Sequence, residues 1–195
     1  MAAPKALPKT LNVHPLTPSR WADFESLFGA RGACGGCWCM WWRLKRKEFE
    51  ERKGEGNRKA MKDLVDGGVV PGLIAYVGRK PVGWCSVAPR GDYSTLGRSR
   101  ILKPVDDRPV WSVVCFFVQK NYRRRGLTVR LLEEAARFAK EQGALTLEGY
   151  PVEPKKAETP SVFAYTGLAS AFRSAGFTEV ARRSETRPVM RLELK

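Results

Sequence analysis

Two spacings of apolar residues divide this chain. Short β-branched and aromatic runs predict strands, and apolar residues recurring every three or four positions predict helices. The clearest case lies in the middle. Val113–Val118 is an apolar run that reads as a buried strand, and a turn follows at Gln119–Tyr122. Leu127, Leu131, Leu132, Ala135, Phe138 and Ala139 then share one face of a helix, with Arg130, Glu133, Glu134, Arg137 and Lys140 on the other and Gly143 as its stop.

The same reading extends to both sides. Leu11–Leu16 predicts a first strand ending near Pro15, and Thr17-Pro18 reads as the cap and first residue of a helix carrying Trp21, Phe24, Leu27 and Phe28 up to Gly29. Leu44–Gly56 is highly charged and predicts a solvated helix followed by a loop. Asn57 is expected to cap a further helix carrying Met61, Leu64 and Val65, closed by Gly67-Gly68. Leu73–Val77 and Val82–Val87 predict a β-hairpin around Gly78-Arg79-Lys80. Pro89–Pro109, rich in Arg, Gly, Pro and Asp, predicts a loop with one helical turn, long enough to suggest a functional role. Beyond the central helix, Ala144–Val152 is expected to run parallel to the central strand, and Pro151, Pro154 and Pro160 mark a loop. Phe163–Ala175 predicts the last long helix, and Phe177–Ala181 with Val189–Leu194 a closing hairpin. The pattern gives one domain over residues 11–195 behind a flexible lead at 1–10.

Composition narrows the function classes. A chain of 195 residues, 43% hydrophobic, can bury a sizeable core as one domain. It contains no run of about 18 apolar residues, which argues against a membrane span, and its first residues lack the apolar stretch of a secretory signal, so cytoplasmic residence is expected. The formal net charge of +15 favours phosphate-bearing partners and disfavours polycationic acceptors. The five cysteines are an odd number, and reduced thiols are expected.

The basic turn Arg123-Arg124-Arg125-Gly126 sits between the central strand and the start of the central helix. The first N–H groups of a helix have no partner within it and carry partial positive charge, so this turn suits an anion, and a pyrophosphate is its natural occupant. Here the chain resembles the GNAT superfamily of acyl-CoA-dependent N-acyltransferases. Arg123, Gly126 and Thr128 occupy the three defined positions of that family's Arg/Gln-x-x-Gly-x-Gly/Ala signature, with Thr128 larger than the usual residue. Ala175-Gly176-Phe177 resembles its late Gly-Phe turn.

The resemblance implies an α/β (α+β) fold: a mixed central sheet, largely antiparallel, with one splayed parallel strand pair and helices on both faces. It also implies that acetyl-CoA, or another acyl-CoA, is the co-substrate. Phe116 and Val118 would bond pantetheine, and the Phe117 or Val118 N–H would face the thioester oxygen. Arg123, Arg124, Arg125, Gly126, Leu127, Thr128 and Val129 would hold the pyrophosphate. The tyrosine acid that many members carry is replaced by Phe172, and a glutamate base that some place on the central strand is replaced by Ser112. Tyr165 and Glu148 are then the candidates for proton transfer. A closing hairpin of this kind can also offer an edge for a homodimer.

Arg31–Arg43 holds three cysteines and three tryptophans in glycine-rich chain. Cys34, Cys37 and Cys39 invite a zinc reading, but a structural site needs four ligands and the two-plus-two spacing is absent, so no metal is expected. A cysteine nucleophile in an acyl relay lacks a histidine partner here. The segment reads either as an apolar plug or as the wall of the acceptor pocket. In the second reading Trp38, Trp41, Trp42, Arg43, Trp84 and Tyr150 bind the acceptor. The expected function is acetyl transfer to the primary amine of a small molecule or peptide by direct attack in a ternary complex. The alternatives are an acyl-CoA-binding sensor without turnover and, more weakly, a basic nucleic-acid-binding module.

Overall fold

A computed structural model describes residues 7–8, 10–154 and 164–195; most of the lead expected at 1–10 and the Pro160 loop lie outside them. The elements are β1 (Leu11–Pro15), α1 (Trp21–Phe28), α2 (Arg46–Glu51), α3 (Glu55–Asp66), β2 (Gly72–Val77), β3 (Lys80–Pro89), β4 (Trp111–Val118), α4 (Leu127–Glu141), β5 (Thr146–Gly149), α5 (Ala169–Ser174), β6 (Thr178–Arg182) and β7 (Pro188–Glu193). The strands form one sheet in the order β1-β2-β3-β4-β5-β7-β6, antiparallel except for β4 against β5. The expected mixed sheet with one parallel pair, flanked by helices, is therefore present.

Parallel strands need a long crossover, and α4 supplies it. Its apolar face, with Leu127, Leu131, Leu132, Ala135 and Ala139, covers Ala75, Val82, Cys85 and Val113 on one side of the sheet. Each buried leucine there contributes about 2 kcal/mol. Gly83 permits the close approach, since a Cβ on it would lie 3.0 Å from Leu127. On the other side Phe24, Phe28, Trp38, Met61 and Val65 pack against Ile74, Tyr76 and Trp84.

The parallel pairing is short. Trp111, Ser112 and Val113 pair with Leu147, Glu148 and Gly149, after which β4 continues to Val118 with β3 on one side and without β5 on the other. Phe172 stands at the parting. Its ring lies edge-on to Phe116, centroids 6.1 Å apart, and it abuts Gly149 so closely that a Cβ there would fall 2.1 Å from the ring.

Three expectations need correction. The last helix spans only Ala169–Ser174. Phe163 lies outside the described residues, Gly167 takes φ +85, and Leu168 is extended and bridges Val152, so no helix can run through 167–168. Asn57 does not cap α3; Gly54 does, and Asn57 is buried inside the first turn. From there its amide donates to the carbonyls of Gly36 at 3.1 Å and Phe49 at 3.4 Å. The strand expected over Ala144–Val152 is cut to Thr146–Gly149 because its partner on one side leaves at Val113.

The loop after β3 forms two 3-10 turns, Arg90–Asp92 and Leu96–Arg98, and is tied to the sheet by a buried ion network. Glu148, 1% exposed, accepts from Arg90 at 2.9 Å and from the Tyr150 hydroxyl at 2.6 Å on one oxygen, and from Arg191 at 2.8 Å on the other. Arg191 also holds Asp106 in a two-pronged pair at 2.6 and 3.0 Å. Removing one member of such a network leaves charges buried without a partner.

Glu148→Gln is therefore expected to destabilise the fold by about 3–5 kcal/mol. Scanning calorimetry should show a fall in Tm on the order of 10 °C. Gly149→Ala should cost about 1–3 kcal/mol through overpacking against Phe172, and the double variant with Phe172→Leu should recover part of that loss in chemical denaturation.

Candidate active site

Past Val113 one edge of β4 has no strand beside it, and backbone alternation decides which groups face that gap. The Gln119 N–H donates to Val82 of β3 at 3.0 Å, and the Phe116 N–H donates to the Tyr165 carbonyl at 2.6 Å on the opposite edge. Successive residues of a strand point to opposite edges, so Phe117 faces β3 with Gln119, and Val118 faces the gap with Phe116. Of the two N–H groups expected toward the thioester oxygen, that of Phe117 does not face the gap; the Phe116 N–H, expected to bond pantetheine, is engaged by Tyr165. The Val118 N–H points into the gap, and the Val118 carbonyl accepts from Arg123 Nε at 2.9 Å.

The chain then makes a 3-10 turn at Lys120–Tyr122 and reaches Gly126, which takes φ +83 as the N-cap of α4. That left-handed conformation, rather than space, calls for glycine, since a Cβ would meet nothing within 4 Å. The helix's first internal bond here runs from the Arg130 N–H to the Gly126 carbonyl at 3.1 Å. The N–H groups of Leu127, Thr128 and Val129 are therefore free of helix acceptors and lie at the positive end of the dipole. Arg124 is exposed with φ +58, and the Arg125 guanidinium lies 5.7 Å from the Tyr122 ring centre.

A cavity of about 680 Å³ joins this turn to the Cys/Trp segment. One wall is Phe116, Phe117, Val118, Arg123 and Thr128. The facing wall is Ala33, Cys34, Gly35, Cys37, Cys39 and Trp41, with Phe49, Glu50 and Lys53 beyond. Phe28, Cys115, Ala164, Tyr165, Gly167, Leu168 and Ala171 complete it. Burial pushes the Tyr165 phenol up to about 12, so it is a neutral donor at pH 7.

The expected site residues separate on this geometry. Tyr165 lines the cavity. Glu148 does not, and with both oxygens held by Arg90, Tyr150 and Arg191 it is placed as a structural anchor rather than a base. Of the six residues expected against the acceptor, Trp41 lines the cavity, edge-on to Phe49 with centroids 5.1 Å apart. Trp38 is buried and stacks on Phe28, and Trp84 is buried against Phe24 and Phe28, so both are core residues. Trp42 packs beside Tyr165, centroids 6.5 Å apart, outside the lining. Tyr150 belongs to the ion network, where burial and Glu148 hold its hydroxyl above its ordinary range. Arg43 lies behind the wall, over the Tyr93 ring at 4.7 Å and 3.5 Å from Asp92.

The cysteines weighed from the sequence as zinc ligands or a nucleophile meet a further one here. Cys34, Cys37, Cys39 and Cys115 all line the cavity. Their clustering in sequence was visible, but not its convergence on Cys115. Their acidities differ. Burial pushes the Cys37 thiol up to about 11, and the hydrogen bond with Cys39, together with burial, raises Cys115 well above its ordinary value. Cys39 is drawn below its ordinary value by its interaction with Cys115 and by the Trp84 indole N–H, 3.2 Å from its sulfur, against the effect of burial. Among the described residues no group of three or more His, Cys, Asp or Glu side chains is arranged to hold a metal ion. No described helix is long and apolar enough to cross a membrane.

No curated protein matches this sequence. Among solved structures, an acetyltransferase of the GNAT family from Streptococcus agalactiae superposes with a TM-score of 0.56 at 11% identity, covering 98% of this chain and 99% of that one. PaiA N-acetyltransferase from Thermoplasma acidophilum, in complex with coenzyme A, gives 0.52 at 13% identity over 94% and 98%. YncA from Salmonella typhimurium, with its cofactor acetyl-CoA, gives 0.53 at 14% over 96% and 95%. At these identities the superpositions show a shared fold. The family model described as acetyltransferase (GNAT) family matches residues 38–156, more than half of the chain. That stretch contains β4, the basic turn and α4, and the chain belongs to the GNAT family of acetyltransferases.

Proposed function

We propose that this protein transfers the acetyl group of acetyl-CoA to the primary amine of a small-molecule or peptide acceptor, by direct attack in a ternary complex. The observation that carries this reading is the continuity of one cavity from Arg123 and Thr128, at the basic turn, to Trp41 and the cysteines. The N–H groups of Leu127, Thr128 and Val129 bind the pyrophosphate, and Arg123, Arg124 and Arg125 add full charge around it. The pantetheine arm lies along the free edge of β4. The Val118 N–H polarises the thioester carbonyl as it gains charge. The amine attacks, the carbon–sulfur bond breaks, and the departing thiolate takes a proton from Tyr165.

The acceptor wall is largely apolar, with Glu50 and Lys53 paired at 3.5 Å on its border. An acceptor with an apolar body carrying its amine inward fits this wall. The coenzyme A and acetyl-CoA bound by PaiA and YncA support the choice of donor. Phe172, standing where many family members carry a tyrosine acid, favours a second reading in which the domain binds acyl-CoA as a sensor without turnover.

The test is mass detection of acetylated product from a panel of primary amines and labelled acetyl-CoA, with calorimetry of acetyl-CoA binding alongside. Acceptor-dependent release of free coenzyme A supports the transferase, and tight binding with no product in any fraction supports the sensor. The double change Arg124→Gln with Arg125→Gln should raise KM for acetyl-CoA by about tenfold with little change in kcat, and added salt should shrink the difference. Tyr165→Phe should lower kcat by about 10²-fold while leaving KM for acetyl-CoA nearly unchanged.

A further inference from the structure

Resting on that reading, we propose that the base taking the proton from the acceptor amine is Cys39 Sγ, rather than a carboxylate. Glu148 is fully engaged outside the cavity, and Glu50, the carboxylate among the described lining residues, is paired with Lys53 at the border. Cys39 lies in the cavity wall with Cys115, Phe116 and Phe117 of β4 also lining the space.

Two neighbours prepare the sulfur to carry negative charge. The indole N–H of Trp84, a fully buried group that can only donate, lies 3.2 Å from Cys39 Sγ, so the sulfur is the acceptor. The second neighbour is Arg43, whose side chain is 6% exposed and whose Nε and Nη2 are buried with no partner. Its nearest carboxylate, Asp92, stands at 3.5 Å from Nη1. A buried guanidinium needs a counter-charge, and its field acts on Cys39. The backbone is also held in an unfavourable form here, with φ +44 at Trp38 and +62 at Cys39, neither of them glycine.

Of the titratable groups around this sulfur, Arg43 is the charged one whose field favours the thiolate. Cys37 on the same segment, Cys85 of β3, Cys115 of β4, Tyr93 of the following loop and Tyr165 before α5 are all raised, by burial in the main and for Cys115 by its bond to Cys39. They remain neutral at pH 7, whereas Cys39 is drawn below the ordinary thiol range. The amine arrives as an ammonium ion and gives one proton to the thiolate, which becomes a thiol. The freed nitrogen lone pair forms the new bond to the thioester carbon. The carbon–sulfur electrons leave with coenzyme A, whose sulfur takes a proton from Tyr165, and Tyr165 recovers one from the new amide nitrogen. The Cys39 proton passes to water.

Two measurements test this. In the free protein, the ultraviolet difference absorbance of a thiolate between wild type and Cys39→Ser should titrate with a midpoint below that of an ordinary thiol, and Arg43→Gln should move that midpoint upward. In turnover, kcat should rise with pH through the same range and level off above it. Cys39→Ala should lower kcat by about 10²-fold and abolish that rise, with KM for acetyl-CoA nearly unchanged. A Cys39→Ala profile parallel to wild type would overturn the proposal, as would a thiolate signal absent until alkaline pH. An acetyl group left on Cys39 by acetyl-CoA without amine would also overturn it, making the sulfur a nucleophile. Turnover of no amine, with the neutral-pH thiolate intact, would instead overturn the acetyl-transfer reading and the base role with it, leaving the ionised sulfur as a finding.

Discussion

Two parallel strands that pair for three residues and then part create the site. β4 and β5 run together through Val113 and Gly149, and Phe172 occupies the place where they separate. The ring fits because Gly149 has no side chain and because Phe116 presents an edge to it. Sheet edges are ordinarily satisfied by a neighbouring strand. Here the outer part of β4 keeps one side against β3 and offers the other to a cavity. The direction of Phe116 and Val118, the position of the basic turn beyond them and the reach of Tyr165 all descend from that separation.

The ion network holds the parting in place from the outside. Glu148 sits one residue before Gly149, and its partners come from β7 and from the loop after β3. Loop residues are thus fastened to the strand that defines one side of the site. A formal charge of +15 would suggest a surface dominated by unpaired cations. Yet Arg90 and Arg191 are consumed internally, while Arg124 on the basic turn is exposed. The positive charge relevant to an anionic ligand is therefore local, set by the turn rather than by the whole chain.

The legible parts of the sequence were those whose cause is local. An apolar run, a glycine that needs φ +83 and a helical stripe fall within thirty-odd residues of one another, so β4, the turn and α4 could be read directly. The Cys/Trp segment could not. Its shape depends on Asn57, whose amide holds Gly36 from 21 positions away, and on Trp84, which reaches Cys39 from 45 positions away. Asn57 also shows how a residue typical of helix caps can be used for a distant bond instead. Tryptophans are read equally well as wall or core from composition, and burial assigned Trp38 and Trp84 to the core. Glu148 was noticed because a carboxylate in an apolar strand demands a partner. The two guanidiniums that answer the demand lie 58 and 43 positions away in the chain.

The bond from the Phe116 N–H to the Tyr165 carbonyl bears on how tightly anything can be held along β4. A ligand that takes this donor gains only the difference between its own acceptor and one the protein already supplies. Tyr165 acts as a resident competitor within its own binding groove. Such competition weakens retention of any occupant of that edge and so favours rapid exchange of one molecule for the next.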